Sequence, residues 1–364
     1  MALIQTRKGR VKAVRRLNPG VDELLVEMEA GPGTEAKALL YPDLTGPARV
    51  GDQVLLNTTA VHLGLGTGGY HFVMAVDKGS ELDLSGPGHI MKLRYTPWQI
   101  RVLAAEEPDS PHHEHLRNAD SLGGRPVIAL GLHSQLAPAA LAFKLEAGPS
   151  ARLAYCMTDG AALPLVFSQQ VQRLRQEGLL DLTVTIGHAF GGDLEAVNVW
   201  SGLLAAVHAG QADAVIVGMG PGVVGTDTRW GTTALEQAQL LDAVDRLEGR
   251  PIAVLRLSSA DPRPRHRGVS HHSLTSLGRL TYATCDIPLP VLPQDELSRL
   301  VDRQLADSQI SRRHRIVHLD PRQVLDEAAR RNIQFSSMGR GVAEDPLPFL
   351  AAAAAGLYAA HLIR

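Results

Sequence analysis

A series of short apolar runs beyond residue 125 constrains the fold more than any other feature of the sequence. Each run is followed by a segment with helical periodicity. Such runs are typical of strands that are buried on both faces, as in a parallel sheet covered by helices. The sequence therefore predicts an α/β fold with a Rossmann-like, mostly parallel sheet and helices on both faces. The predicted strands are residues 126–131, 153–157, 182–186, 214–217, 252–257, 282–289 and 316–319.

The helices between these runs have recognisable ends. In most of them a glycine follows the last helical residue, as is common at helix C-termini. The predicted helices are residues 135–144, 164–177, 193–209 and 232–248. Asp193 could therefore be a helix N-cap, which is the structural alternative to a role in ligand binding.

Residues 1–85 show strand and turn signals without helical periodicity. Gly, Pro and Asn turns separate short β-type runs, a pattern typical of a small β-barrel or sandwich. A Gly-Pro-Gly break at 86–88 ends this region. We therefore predict a β-rich domain at 1–85, a connecting segment with a His-rich loop at 86–124, and the α/β domain at 125–364. The β-type runs are residues 10–14, 23–29, 35–41, 52–57 and 70–76.

Charge and composition narrow the classes of partner. The formal net charge of −2 and the sequence pI near 6.7 argue against a nucleic-acid partner, because phosphate backbones are bound by a clustered excess of Lys and Arg. Few of the basic residues are lysines, and none of these follows Lys144. A basic site beyond that position must therefore use arginine, which suits bidentate binding of carboxylate or phosphate.

The sequence indicates a cytoplasmic protein with no membrane partner. Cys156 and Cys285 lie in apolar runs and are expected to be reduced core thiols, with neither a disulfide framework nor metal-binding spacing. The N-terminus lacks the apolar region of a signal peptide. The most apolar stretch, residues 347–363, is shorter than the ~20 residues that a membrane-spanning helix needs. It is expected to form a buried or interface helix, and the oligomer expected is a homodimer.

Polar residues follow the predicted strands of the α/β domain. In an open parallel sheet, ligands bind at the carboxyl ends of the strands, where loops and helix N-termini surround a crevice. A single loop of this kind can be ordinary turn and cap chemistry, but several at one edge favour a ligand site. The loops contain His133-Ser134, Thr158-Asp159-Gly160, His188 with residues 191–195, residues 220–233, and residues 265–273.

The longest of these loops is rich in glycine and follows the strand at 214–217. Three of its glycines satisfy the G-x-G-x-x-G spacing of phosphate-binding loops. Its helix begins late, and no ribose-binding acid ends the next strand, so a dinucleotide site is the weaker alternative. We predict a small anionic ligand instead. The loop residues expected to bind it are Gly220, Gly222, Gly225, Thr226, Thr228 and Arg229.

Side-chain chemistry separates the expected roles at this edge. A carboxylate, Asp159 or Glu195, is the candidate base. An imidazole, His271 or His272, is the candidate acid, because imidazole titrates near neutral pH. Arginine would clamp phosphate or carboxylate. The further residues expected to bind the ligand are Gly160, Gly191, Gly192, Asp193, His266, Arg267, Ser273 and Arg340.

Another His-rich segment, residues 108–124, precedes the sheet. Its His and carboxylate side chains together suit zinc or iron. Adjacent side chains diverge in regular structure, however, so His112 and His113 are not expected to bind one ion together. A solvated or site-facing loop is the alternative, and the sequence names neither a metal nor a cofactor. The residues concerned are His112, His113, Glu114, His115 and Asp120.

Motifs spread over nearly the whole chain resemble those of a bacterial family catalogued only as a domain of unknown function. The resemblance implies a bacterial cytosolic protein and transfers no activity. In GLGTGGY a predicted strand follows the glycines, which favours a hairpin or lid loop over a dinucleotide site. The motifs are NTTA (57–60), GLGTGGY (64–70), RYTP (94–97), SPHH (110–113), LHSQL (132–136), MTDGAALPL (157–165), AFGGDLEAVN (189–198), GPGVVGTDTRWG (220–231), RHRGVSHHS (265–273) and SMGRG (337–341).

Two functions from different classes fit these patterns. The first is an enzyme that binds a small anionic, phosphate- or carboxylate-bearing metabolite at the carboxyl ends of the parallel strands. The second is a non-catalytic ligand-sensing or protein-interaction module that uses the same crevice. Binding of a ligand without turnover would favour the second.

Overall fold

The chain folds into two compact units, Met1–Gly86 and Pro87–Arg364. The computed structural model describes residues 2–29, 33–65, 68–77 and 81–364. Gly66 and Thr67 of the GLGTGGY motif lie outside the described residues, so the hairpin or lid expected there stays a prediction.

The first unit is a closed five-stranded barrel. Its elements are β1 (Thr6–Asn18), β2 (Val21–Met28), β3 (Glu35–Leu40), α1 (Pro42–Thr45), β4 (Gln53–Asn57), α2 (Thr59–His62) and β5 (His71–Val76). The strand order is β1-β2-β3-β5-β4, and β1 pairs with both β2 and β4, which closes the barrel. Buried side chains such as Leu24, Val26 and Leu56 fill its interior. This confirms the β-barrel predicted from the turn-separated runs.

The segment between residues 87 and 124 belongs to the second unit. It contains a short antiparallel pair, β6 (Ile90–Lys92) and β7 (Ile100–Val102), and one helical turn, α3 (His113–Leu116). The buried Lys92 Nζ donates to the carbonyl oxygens of Thr185 and Ala189 at 3.0 and 2.6 Å. The segment is therefore packed against the α/β core and is not a free connector.

The rest of the second unit consists of strands and helices that mostly alternate along the chain. Up to residue 258 they are β8 (Pro126–Ala129), α4 (Leu136–Ala147), β9 (Leu153–Thr158), α5 (Gln169–Gln176), β10 (Leu182–Ile186), β11 (Leu194–Ala196), α6 (Val199–Leu204), β12 (Ala214–Met219), α7 (Glu236–Arg246), β13 (Arg250–Ala253) and β14 (Leu257–Ser258). From residue 268 they are β15 (Gly268–Val269), α8 (His271–Thr275), β16 (Asp286–Pro290), α9 (Glu296–Asp307), α10 (Ile310–Arg313), β17 (Arg315–Leu319), α11 (Arg322–Arg330), β18 (Ser336–Ser337), β19 (Arg340–Gly341) and α12 (Leu347–Leu362).

Eight of these strands form one sheet, in the order β11-β10-β9-β12-β8-β13-β16-β17. Every neighbouring pair in it is parallel. The register places Ile216 of β12 opposite Ile128 of β8 on one side and Tyr155 of β9 on the other. This sheet confirms the predicted Rossmann-like α/β fold. The loops that follow β12, β8 and β13 emerge side by side at the centre of one edge.

The central strands are apolar at nearly every position because both faces of the sheet are covered. Side chains alternate along each strand, so Ile128 and Ile216 enter one core while Val127 and Val215 enter the other. The first core also contains side chains of α4 and α12, and the second contains side chains of α6 and α7. This explains why the runs read as buried parallel strands in the sequence.

The Ala-rich helix α12 is buried along most of its length and packs closely against α4. An ideal Cβ on Gly356 would overlap the carbonyl oxygen of Ala139 and lie 2.8 Å from Ala142 Cβ. The absence of a side chain at Gly356 thus permits the close approach of the two helices. Among the residues that the structure describes, no helix has the length and apolarity needed to cross a membrane.

The helix predicted at 193–209 is wrong in its first part. Residues 194–196 form the edge strand β11, and α6 begins after Asn198, whose side chain accepts from the Trp200 and Ser201 amides at 2.9 and 3.1 Å. Asp193 is therefore not a helix cap, and its carboxylate accepts from the Thr183 amide at 2.8 Å. A strand of three residues is too short for its period to stand out from a helical pattern.

The strand predicted at 252–257 also ends earlier than expected. β13 ends at Ala253, and Leu257 pairs instead with Val269 in the β14–β15 hairpin. Likewise, the strand predicted at 282–289 begins only at Asp286. The chain therefore leaves the sheet before Arg256, which places this residue among the loops at the carboxyl edge.

We expect Gly356→Ala to destabilise the protein, because the added methyl group would collide with the backbone of α4. Overpacking of this kind typically costs about 1–3 kcal/mol, and the better helix propensity of alanine works in the opposite direction. Urea unfolding of the full chain measures the change. Gly131→Ala is the control, since the nearest atom to its Cβ would lie at 3.6 Å, on the Gln237 side chain. Equal stability of the two variants would contradict this account of the helix crossing.

Candidate functional site

The glycine-rich loop, residues 220–232, follows β12 and closes on itself. Gly225 and Thr232 form an antiparallel bridge, and the Thr226 amide donates to the Gly231 carbonyl at 2.8 Å. The Thr226 and Thr228 hydroxyls lie 3.0 Å apart, and Thr228 Oγ1 accepts from the Gly231 amide at 3.1 Å. The hydroxyls that the sequence predicts as ligand-binding groups therefore also hold the loop in shape.

This loop contributes to three pockets at the carboxyl edge of the sheet. One, of about 110 Å³, lies against three histidines and is called the histidine pocket. A second, of about 260 Å³, shares Val223 and Met338 with it and also contacts Ser134. A third, of about 500 Å³, is lined by Gly160 and Glu236 among others. The polar lining of the histidine pocket is Asp227, Arg256, Arg263, Arg265, His266, His271 and His272.

A hairpin and a short helix bring the three histidines together. After β14 the chain passes through a single 3₁₀ turn, Pro264–His266, and returns in β15. Ser270 then caps α8 by accepting from the His272 amide, so both His271 and His272 lie in the first turn of that helix. The three imidazole rings have centroids 4.2–5.2 Å apart.

The ring nitrogens of the three histidines face a common space. His266 Nδ1 lies 2.7 Å from Ser270 Oγ. His271 Nε2 and His272 Nδ1 are buried and have no hydrogen-bond partner among the described residues. One nitrogen from each ring lies within 4.8 Å of those of the other two. The three rings are therefore arranged around one point, although two of them belong to adjacent residues.

Burial is the main cause of low pKa values in this cluster. It lowers the pKa of His272 to about 4, helped by the charges of His271 and Arg256. It lowers the pKa of His266 to about 3, helped by Arg256 and Arg263. The pKa of His271 is shifted in the same direction, again chiefly by burial. All three rings are therefore neutral near pH 7, with lone pairs available to a proton, a hydrogen-bond donor or a metal ion.

Arg256 lies between β13 and β14, and its guanidinium is poorly paired among the described residues. Its side chain is only 9% exposed, and its single ion pair, with Asp261, spans 3.8 Å. Burial, followed by the charge of Arg263, lowers the pKa of Arg256 to about 10. In the described part of the chain, its guanidinium donates no hydrogen bond. The pocket therefore contains a cation that the protein itself leaves largely unpaired.

Two buried aspartates hold the other arginines in place. Asp261 accepts two hydrogen bonds from the Arg263 guanidinium, both at 2.9 Å, and one from Arg340 at 3.1 Å. The hydrogen bonds and the charge of Arg263 hold the pKa of Asp261 well below its usual range. Asp345 accepts from Ser259 at 3.0 Å and pairs with Arg340. Arg340 thereby ties the β18–β19 hairpin to the loop after β14.

The balance of these charges leaves the pocket electropositive. Around it lie more arginines than aspartates, and the histidines add no charge when neutral. Asp227 is itself paired with Arg265 at 2.5 Å. Clustered guanidinium groups at a partly enclosed site attract anions. The positively charged groups are Arg256, Arg263, Arg265 and Arg340, and the negatively charged groups are Asp227, Asp261 and Asp345.

The structure brings some of the sequence-predicted residues to this pocket and leaves others outside. His266, His271, His272 and Gly225 line it. Ser273 lies beneath it, with Oγ accepting from the Arg256 amide at 3.0 Å. Arg340 contributes through Asp261, whereas Arg229 and Arg267 are exposed and line none of the three pockets. Gly222 lines the pocket that contains Ser134, Gly160 lines the largest of the three, and Gly220 lines none of them.

The residues predicted on the loop after β10 form a separate, internally bonded cluster. Glu195 pairs with Lys92 at 2.6 Å and accepts from the Gly191 amide at 2.7 Å. The Gly192 amide donates to Thr185 Oγ1 at 3.0 Å. Asp193 is bonded to Thr183 and Arg175, and Asp159 accepts from the His188 amide at 2.9 Å. Neither predicted base, Asp159 or Glu195, lines the histidine pocket.

Sequence reasoning missed the charged groups that shape the pocket most. Arg256 lies inside an apolar run that reads as a strand, and its charge within that run was the signal available. Asp261 and Asp345 are more than 80 positions apart in the sequence, and only the fold brings both to Arg340. Glu236 lies near the start of the helix predicted at 232–248, and nothing in the local pattern sets it apart.

The other His-rich loop, at 108–124, does not gather its side chains around one point. His113 lies in the single turn α3, and its Nδ1 is 2.8 Å from the Glu106 carbonyl. Across the described ranges, the only group of three or more His, Cys, Asp or Glu with ligand atoms this close is His266, His271 and His272. The helical turn directs successive side chains apart, as expected for adjacent residues.

We expect Lys92→Met to destabilise the protein by about 3 kcal/mol, because it leaves Glu195 as a buried charge without its partner. Lys92 is almost fully buried, and Glu195 is 13% exposed. Urea unfolding provides the measurement. Arg94→Met, at an exposed position, is the control and should change stability by less than about 0.5 kcal/mol. An unchanged midpoint for Lys92→Met would mean that Glu195 does not depend on the ion pair.

Glu236 predicts a pH dependence of stability. Burial raises its pKa from 4.5 to about 7, with Asp159 adding to the shift. The unfolded chain loses this proton near pH 4.5 and the folded chain near pH 7, so stability falls between these values and then levels off. Glu236→Gln should therefore match wild type at pH 4.5 and exceed it at pH 8, by up to about 3 kcal/mol. Thermal unfolding against pH tests this.

The control for that series is Glu248→Gln, at an exposed position just beyond α7. A surface substitution of this kind should shift stability by less than about 0.5 kcal/mol. A constant difference between Glu236→Gln and wild type across the pH range would contradict the assignment.

Comparison with known proteins gives one match. Neither the search of curated proteins nor the search of solved structures returned a significant match. A family model described as "Protein of unknown function (DUF3866)" matches residues 37–356. The matched range includes every residue that lines the histidine pocket. The chain therefore belongs to the DUF3866 family, whose function is not known.

Proposed function

We propose that the chain is an enzyme that binds a small anionic metabolite, bearing a phosphate or carboxylate group, in the histidine pocket. The observation that carries the proposal is the Arg256 guanidinium, which is buried, lines the pocket and donates no hydrogen bond to the described residues. A buried charge without hydrogen bonds is costly, and an oxyanion can accept two of its N–H groups at once.

Two further arginines support an anionic ligand. Arg263 and Arg265 line the same pocket, each anchored by an aspartate. Because each side chain is anchored, little conformational entropy would be lost when it contacts a ligand. The surplus of positive charge around the pocket adds to the attraction.

The size of the pocket limits what it can hold. Its volume of about 110 Å³ is well below the ~300–1,000 Å³ of a typical pocket for a drug-sized ligand. It suits a single oxyanion group rather than a dinucleotide. A larger ligand would extend past Val223 and Met338 into the adjoining pocket, where Ser134 and Ser337 bond to each other at 2.9 Å.

Within this proposal, the reacting side chains are the histidines that line the pocket. Neutral rings accept protons or bind an electrophile, so we give His271 and His272 no acid role. Asp227 is the only carboxylate that lines the pocket among the described residues. Asp159 remains exposed at the neighbouring loop and could contact only a ligand that reaches beyond the pocket.

A non-catalytic sensor or interaction module is the second candidate. Val224, Trp230 and Met338 are apolar yet 59%, 57% and 51% exposed at or near the glycine-rich loop. Apolar side chains clustered at a surface are typical of sites that meet another molecule. On this alternative, the pocket would bind its anion without converting it.

We expect wild-type protein to bind inorganic phosphate or acetate, and Arg256→Gln and Arg265→Gln each to weaken that binding about tenfold or more. Loss of a hydrogen bond between charged groups costs about 1.5–3 kcal/mol. Isothermal titration calorimetry gives the dissociation constants. Arg267→Gln is the matched control, because its side chain is exposed and lies outside the pocket.

Two outcomes would contradict the proposal. One is a wild-type protein that binds neither anion, and the other is Arg265→Gln and Arg256→Gln variants that bind like the control. Incubation of wild type with a panel of phosphorylated and carboxylated metabolites, followed by mass spectrometry, separates the two candidates. Conversion supports the enzyme, and binding without conversion supports the sensor.

A further inference from the structure

We propose that His266, His271 and His272 bind a divalent transition-metal ion of the zinc class. This inference concerns a different ligand from the anion and stands on the histidines alone. It would hold whether or not the pocket binds phosphate or carboxylate.

The positions of the three side chains carry the first part of the argument. One nitrogen from each ring lies within 4.8 Å of the other two. With Zn–N bonds of about 2.0–2.1 Å, nitrogens in a tetrahedral site lie about 3.4 Å apart. The rings thus need to close in by at most about 1.4 Å, a change that small side-chain rotations can make. Three histidine ligands with an open fourth position are a known arrangement for catalytic zinc.

Unpaired nitrogen atoms carry the second part. His271 Nε2 and His272 Nδ1 are buried and find no hydrogen-bond partner among the residues that the structure describes. A buried polar atom left in this state costs about 1–3 kcal/mol. Coordination of one ion would satisfy both atoms at once. The same ion explains why two adjacent histidines turn towards each other and not apart.

Ser270 supplies the supporting contact that metal-binding histidines usually have. Its Oγ lies 2.7 Å from His266 Nδ1 and also accepts from the His272 amide. A hydrogen bond at Nδ1 fixes the orientation of the His266 ring and leaves Nε2 as the nitrogen that can bind a metal. One serine thereby positions two of the three proposed ligands.

Ligand chemistry selects the class of metal. Imidazole nitrogen suits zinc, cobalt, nickel, copper and ferrous iron, whereas calcium and magnesium require oxygen ligands. The carboxylate of Asp227 is already paired with Arg265, so we do not count it among the metal ligands.

The arginines around the pocket are compatible with a bound cation. Three of the four, Arg263, Arg265 and Arg340, are paired with aspartates, so Arg256 is the main unbalanced positive charge near the site. The ion would add positive charge, so an anion or hydroxide is the expected occupant of the open position. A zinc-class ion would lower the pKa of a bound water to about 7. The resulting hydroxide would be the base in the pocket, since histidines that bind the ion cannot act as bases themselves.

The test uses the full chain without a polyhistidine tag, stripped with a chelator and titrated with CoCl₂ in a buffer free of phosphate and carboxylate. Wild type should bind one equivalent and show the visible absorption of cobalt in a low-symmetry nitrogen site. His271→Ala and His272→Ala should each weaken binding at least about a hundredfold, by loss of one ligand in three. His112→Ala and His115→Ala are matched controls and should bind like wild type.

The outcomes separate this inference from the anion proposal. Absence of cobalt bands in wild type would overturn the metal site without any variant, even if phosphate still binds. Unchanged cobalt affinity in both His271→Ala and His272→Ala, with native circular dichroism, would overturn it as well. Stoichiometric cobalt binding that depends on these histidines supports it, even if phosphate fails to bind to the metal-free protein.

Discussion

Parallel pairing of all eight strands in the large sheet is the constraint on which the candidate site depends. Strands that run in one direction deliver all their following loops to one edge. Because β12, β8 and β13 are neighbours, the glycine-rich loop, Ser134 and Arg256 meet there although long stretches of sequence separate them. The apolar cores on both faces hold the strands in place. The loops at the carboxyl edge of the sheet can therefore be polar, because they do not need to form a core of their own.

Charge at that edge is held by a small number of buried contacts. Asp261 accepts hydrogen bonds from Arg263 and Arg340, and Asp345 accepts from Ser259 and is paired with Arg340. Ion pairs of this kind add little net stability, since desolvation offsets their attraction, but losing one partner is costly. Their effect is geometric, because they fix the hairpin at residues 336–341 against the loop that contains the histidines. Arg256 is the exception, because its guanidinium donates no hydrogen bond to the residues that the structure describes.

Much of the fold follows from the sequence, and the site follows only in part. The buried strands of the sheet and the strands of the barrel can be predicted because their apolar patterns span several residues. β11 did not, because three residues cannot display a period. Adjacency in the sequence does not predict whether two histidines lie close together. The side chains of His112 and His113 diverge, whereas those of His271 and His272 converge in the first turn of a helix. Contacts such as Lys92 with Glu195 depend on tertiary structure, which no local pattern encodes.

The position of α12 in the chain has a consequence for synthesis. This helix lies C-terminal to every strand of the large sheet, yet most of its buried side chains belong to one of the two cores that cover the sheet. During translation, the strands therefore leave the ribosome before the helix that completes one face. Until residues 347–362 are available, α4 and that face of the sheet present apolar surface to the cell, a state prone to aggregation. The core on that face is therefore complete only after α12 has been synthesised.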